Sequence, residues 1–114
     1  MRAINLEEEA NRIETLFEYH TIARMNDHTF TLVKAEDRTL DFHTHPSSDE
    51  VFFIVDGTMK LEFEDEVIEL KAGEMCVVPG GVLHRPICEG EVTAMLIEID
   101  GTLSPDNPGG AYHE

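Results

Sequence analysis

Apolar and polar residues alternate with a period of two over most of this chain, and turn residues break the alternation about every 8–12 residues. Met59, Leu61 and Phe63 interleave with Lys60, Glu62 and Glu64; the breaks fall at Asp56-Gly57, Glu64-Asp65-Glu66, Ala72-Gly73 and Pro79-Gly80-Gly81. Side chains with that period point to opposite faces of an extended strand. Strands this short, joined by tight turns, pack as an all-β sandwich or small barrel. The pattern predicts strands near 19–25, 29–35, 39–45, 50–55, 59–63, 67–70, 75–78, 82–87 and 92–99.

The one stretch at helical spacing comes first. Leu6, Ala10, Ile13, Leu16 and Phe17 make one apolar stripe, Asn5 is placed to cap it, and Glu7, Glu8 and Glu9 suit its positive end. A short helix through about Phe17 is expected, covering one face or edge of the sheet. At 114 residues the chain is one domain. It divides into an N-terminal helix and first strand (1–28), a barrel (29–100) and a flexible C-terminal tail (101–114) rich in Pro and Gly. The segment 50–55 is apolar on both parities after Glu50, so its outer face meets either a second layer or a partner chain. Together with the tail, it leads us to expect a homodimer.

Eight Lys+Arg against 24 Asp+Glu give a net charge of −16. No basic patch is available for phosphate backbones, which excludes nucleic acid and argues against anionic membranes. The longest apolar run, at 51–55, is far too short to span a bilayer, and the first residues lack the apolar core of a secretory signal. Cys76 and Cys88 form no recognisable framework, so a reduced, cytoplasmic setting is expected.

Four residues carry the chemistry. His43 and His45 are two apart, so on a strand both would face one side, with Cα atoms about 6.6 Å apart. The turn at 46–49 returns the chain to deliver Glu50 beside them, and Pro79-Gly80-Gly81 is a sharp turn that can bring in His84. Each alone has a plainer reading: a surface His pair, a solvated acid, a hydrogen-bonded core histidine. Together, three imidazoles and one carboxylate are the donor set of a transition-metal site with open positions.

The spacing of these residues resembles the cupins. The first cupin motif sets Gly, His-x-His, Glu and Gly at the intervals at which this chain has Asp37, His43, His45, Glu50 and Gly57. The second sets Gly, Pro, Gly, His and Asn where this chain has Gly73, Pro79, Gly81, His84 and Cys88. Asp37 and Cys88 are the two departures, and neither is a ligand position. The resemblance implies a double-stranded β-helix (jelly-roll) barrel in which His43, His45, Glu50 and His84 bind one divalent transition metal. Within the family the chain looks like short bacterial proteins described as mannose-6-phosphate isomerase-like.

Such a donor set accepts Mn, Fe, Co, Ni, Cu or Zn. With two open positions the ion can hold a small polar chelating molecule, including one bearing a carboxylate or phosphate, for isomerase-like or dioxygenase-like chemistry. A non-catalytic cupin that binds or senses a small molecule is the alternative, and the catalytic residues are not specified. Arg85 is the candidate contact for a substrate carboxylate or phosphate; its alternative is an ion pair with a surface acid. Cys88 shares the parity of His84 and is read either as a neighbour of the ligands or as a small buried apolar residue; Cys76 is read as core. Phe52, Ile54, Met59, Leu61 or Phe63 are expected to line the cavity.

Overall fold

The computed structural model describes residues 1–102 and the backbone of 111–113. One short helix, α1 (Leu6–Asn11), precedes eight strands: β1 (Glu18–Met25), β2 (His28–Thr39), β3 (Glu50–Asp56), β4 (Thr58–Phe63), β5 (Val67–Lys71), β6 (Met75–Val78), β7 (His84–Ile99) and β8 (Ala111–His113). The sheet runs β5-β4-β7-β2-β1-β8, while β3 pairs with both β7 and β6. All pairings are antiparallel except β1 with β8. This is the expected all-β barrel with a small N-terminal helix.

The helix is shorter than its apolar stripe suggests. Asn5 caps it, its side chain accepting the Glu8 N–H at 3.0 Å. Two turns suffice to press Ala10 and Ile13 onto Leu32, which is fully buried. The chain then leaves the helix; Phe17 turns at φ 61° and donates its N–H to the Lys34 carbonyl at 2.7 Å, which starts β1 beside β2. Leu16, counted in the stripe, stays 38% exposed. Pairing with β2 outcompetes further helix.

Two other expectations are corrected. Residues 40–49 are not a strand: after β2 ends at Thr39, Leu40 gives one further N–H to the Pro86 carbonyl at 3.0 Å, and His43 forms an isolated bridge, exchanging backbone hydrogen bonds with His84 at 3.0 Å each. The predicted strands at 82–87 and 92–99 are instead one, β7. The tail expected from Gly101 also carries β8, which lies along β1; residues 103–110 and 114 fall outside the described residues.

β7 organises the barrel. Its first half pairs with β4 (Phe63↔His84 to Lys60↔Ile87), its second half with β3 (Val51↔Ile97 to Asp56↔Thr93), and β2 follows it throughout. The turnover lies at a bulge where Glu36 faces Glu91 but Arg38 faces Cys88. There Asp37 takes φ 44° and its carboxylate accepts the Gly90 N–H at 2.7 Å. Aspartate is among the few non-glycine residues that tolerate this left-handed region, so the motif's missing glycine at 37 is accommodated. Inside, Ile54, Leu61, Val92, Ala94 and Val78 are buried, and burial of each larger side chain contributes about 2 kcal/mol.

Candidate metal centre

The fold brings the two distant motifs to one point. His43 and His84 are neighbours through their backbone pairing, and their rings lie 4.5 Å apart between centroids. The loop after His45 is laced to the glycine turn: Gly81 N–H donates to the His45 carbonyl at 3.2 Å, and Gly80 N–H to Asp49 Oδ1 at 2.8 Å. The Ser48 hydroxyl donates to the Asp49 carbonyl at 2.6 Å and accepts the Ile99 N–H at 2.9 Å, tying the same loop to the end of β7. Glu50 then opens β3 with its side chain directed inward, 3% exposed.

One donor atom from each of His43, His45, Glu50 and His84 lies within 4.8 Å of the other three. Glu50 Oε1 is 3.1 Å from His84 Nε2 and 3.7 Å from His45 Nε2. Backbone carbonyls set the tautomers: Nδ1 of His43 donates to Asp41 O at 2.9 Å, and Nδ1 of His84 to Val82 O at 2.8 Å. That leaves Nε2 of each ring as a lone pair turned to the centre, the usual arrangement behind a ligating histidine. Burial lowers the pKa of His43 and brings that of His45 down to about 4, so both are neutral near pH 7, as metal ligation would require. Ring nitrogens converging on a carboxylate in this way suit a divalent cation.

Phe52 and Phe63 flank the His84 ring at centroid distances of 5.8 and 6.5 Å. Ile54, Met59 and Leu61 are packed in the core with Phe52. Cys88 also belongs to that core, and burial pushes its thiol up to about 11. Cys76 is only half-buried, packed against the core from β6, which corrects the core reading.

Arg85 does not join the cluster. Successive residues of a strand face opposite ways, so Arg85 lies on the other face of β7 from His84. Its Nε donates to Glu62 at 2.6 Å and its guanidinium sits 4.3 Å over the Phe42 ring. The ion pair considered as its alternative role is what the structure shows.

The residue missed from sequence is Glu98. It is 1% exposed on the inner face of β7, one register step from the pair Val51↔Ile97 and thus in line with Glu50. Neither of its oxygens has a hydrogen-bond partner in good geometry, nor does Thr31 Oγ1, its diagonal neighbour on β2. Burial first, then the Glu50 charge, pushes the Glu98 pKa up to about 9; burial raises that of Glu50 as well. Parity was the available signal, because an acid continuing the series Val92, Ala94, Leu96 must face inward.

Folded Glu98 keeps its proton to higher pH than the unfolded chain does, so its contribution to stability is present in acid and lost as pH rises toward about 9. The lowered His45 works oppositely, but its contribution is already complete above about pH 6.5. Chelator-stripped protein should therefore lose stability as pH rises from 7 to 8.5, with the raised Glu50 adding to the loss at the lower end. Urea midpoints at the two pH values check this, and a slope that does not flatten in Glu98→Gln would refute the assignment.

Comparison with known proteins agrees with this architecture. The Cupin domain family matches residues 29–100. The chain is 34% identical over 77 residues to the uncharacterized protein YdbB of Bacillus subtilis (strain 168), covering 67% of each. It is 35% identical over 68 residues to the putative germin-like protein 9-2 of Oryza sativa subsp. japonica, covering 55% of this chain and 32% of that protein. Over 69 residues it is 33% identical to the auxin-binding protein ABP20 of Prunus persica, covering 56% and 33%. The chain thus spans about a third of these two plant relatives. Among solved structures, a cupin-2 domain containing protein from Shewanella frigidimarina NCIMB 400 superposes with a TM-score of 0.81 at 40% identity, covering 84% of this chain and 93% of that one. Protein NMB1881 from Neisseria meningitidis gives 0.78 at 36%, covering 87% and 100%. A β-barrel whose long seventh strand closes it around an inward-facing His/Glu cluster, matched from residue 29 to 100 by this domain, makes the chain a member of the cupin family.

Proposed function

We propose that His43, His45, Glu50 and His84 hold one divalent transition metal (Mn, Fe, Co, Ni, Cu or Zn) and that the protein is a small metalloenzyme acting on a small polar chelating molecule. The observation that carries this is the mutual approach of four donor atoms to within 4.8 Å, with the tautomers of His43 and His84 already set for ligation. When bound, the ion supplies Lewis acidity, and redox chemistry with O2 if it is iron. The protein's part is to fix the donors through the paired loops, keep the imidazoles of His43 and His45 neutral and shield His84 behind two phenyl rings. Both isomerase-like and dioxygenase-like chemistry need only that much. Elemental analysis of protein purified without added metal should give close to one transition ion per chain; a metal-free preparation that also rejects added Mn, Fe, Co, Ni, Cu and Zn rules the reading out.

The second reading is a cupin that binds or senses a small molecule without turnover, and the relative named auxin-binding protein favours it. Bound metabolite recovered unchanged after incubation with loaded protein would select it. The two free cysteines, one of them buried, fit a cytoplasmic protein. Among the described residues no helix is long and apolar enough to cross a membrane.

We also propose a homodimer through the outer face of β6, β3 and β7. The register aligns Val77, Val51 and Ile97 in one row and Met75, Phe53 and Met95 in the next, without a charge in either. Met75 and Val77 are 61% and 51% exposed on an edge strand, while α1 covers only the Met95 side. In a chain of charge −16, that face is where two copies meet with least repulsion. Light scattering at micromolar concentration should give the mass of a dimer, and Val77→Lys should shift it toward that of a monomer.

A further inference from the structure

A hollow of about 370 Å³ opens beside His45, lined by Pro46, Ser47, Ile99, Asp100, Gly101 and Thr102. Its lining offers hydroxyls, backbone and one carboxylate, and no cation.

Every cation of the chain can be placed. Arg85 is on the far face of β7, bound to Glu62. Arg12 pairs with Glu9, and Lys60 with Glu89. Arg38 lies over Phe17, and Lys34 borders a separate cleft beside α1. Arg2 precedes the helix, Arg24 ends β1 and Lys71 ends β5, each on an exposed stretch. Residues 103–110 and 114 contain no Lys or Arg.

Phosphate can also be held by backbone N–H groups of a glycine turn. Here that means is spent, because Gly80 and Gly81 donate to Asp49 and to the His45 carbonyl. The six-residue helix α1 packs on Leu32, on the outer face.

Resting on the metal reading above, we propose that the molecule reaching this centre is an oxygen chelator with no charged group beyond those the metal itself binds, such as a hydroxy-acid, hydroxy-ketone or diol, and that phosphate esters are discriminated against. A divalent ion with one glutamate carries a net charge near +1, which one carboxylate of a chelating hydroxy-acid neutralises. A remote phosphate adds about two negative charges that meet Asp100 and no cation.

The test uses the full chain loaded with Co²⁺, whose visible spectrum reports ligation directly. Glycerate and 3-phosphoglycerate present the same hydroxy-acid chelate and differ only in the remote phosphate. Glycerate should half-saturate the spectral change at a concentration at least about tenfold lower than 3-phosphoglycerate. Arg85→Met should leave both values within about twofold, and Asp100→Lys should narrow the gap by improving the phosphorylated probe. Equal or tighter binding of 3-phosphoglycerate, a loss of its binding in Arg85→Met, or no spectral response to either probe in cobalt-loaded protein would each overturn the proposal. Failure to take up cobalt at all would instead overturn the metal reading beneath it.

Discussion

Replacing His45 or His84 with alanine is expected to strip the chain of its metal, from near one ion per chain to a small fraction, under identical purification. Loss of a partner that merely orients a ligand typically costs about 10–100-fold in metal affinity, so loss of a ligand should cost at least about 100-fold. The two variants separate chemistry from folding. His84 is 1% exposed between Phe52 and Phe63, and its truncation leaves a cavity costing about 2–4 kcal/mol. The His45 side chain is 14% exposed at the rim, where truncation disturbs little packing. Elemental analysis should show both depleted, while urea denaturation of chelator-stripped protein should show only His84→Ala much destabilised. Retention of the ion by a well-folded His45→Ala would remove that residue from the ligand set and leave a three-donor site.

The strand pattern and the four convergent residues are legible in the sequence because both depend on short-range information. Period-two alternation is local, and Gly57, Gly73, Pro79 and Gly81 mark turns at fixed distances from the histidines. What the sequence hides is set by pairing across the sheet. Arg85 adjoins His84 in the chain and by parity faces away from it, yet only register with β4 shows that it meets Glu62. Helical spacing continues to Phe17, but the competing bond from Phe17 to Lys34 comes from a strand 17 residues later. Glu98 is one acid among 24, and only its inward parity beside the Glu50 strand sets it apart. His43 and His45 face the centre without a strand beneath them, because backbone bonds to His84 and Gly81 do the work of a ladder.

A single methyl group at Gly57 should damage fold and metal centre together. β7 has 16 residues, and from His84 to Glu98 an extended chain would cover about 46 Å. Yet His84 touches Glu50, and Glu50 stands in line with Glu98, so the two ends of the strand meet at the same site. The strand must therefore fold over near Gly90, and the β3–β4 corner has to press against it there. Gly57 is that corner. A Cβ on it would lie 2.4 Å from the Glu91 carbonyl oxygen and 3.1 Å from Val92 Cα, both backbone atoms that cannot rotate aside. Its φ of 83° adds about 1–2 kcal/mol for any L side chain. Gly81 has the same φ of 83° but open space around its would-be Cβ, which isolates the conformational part. Gly81→Ala should accordingly cost about 1–2 kcal/mol. Gly57→Ala should cost roughly 3 kcal/mol or more, lowering the melting temperature by about 10 °C. Because the clash opens the bend in β7, Gly57→Ala should also weaken metal binding although it removes no donor. Urea denaturation and metal titration of the pair decide it: equal losses in the two variants would mean that the close approach at Glu91 does not hold the barrel closed.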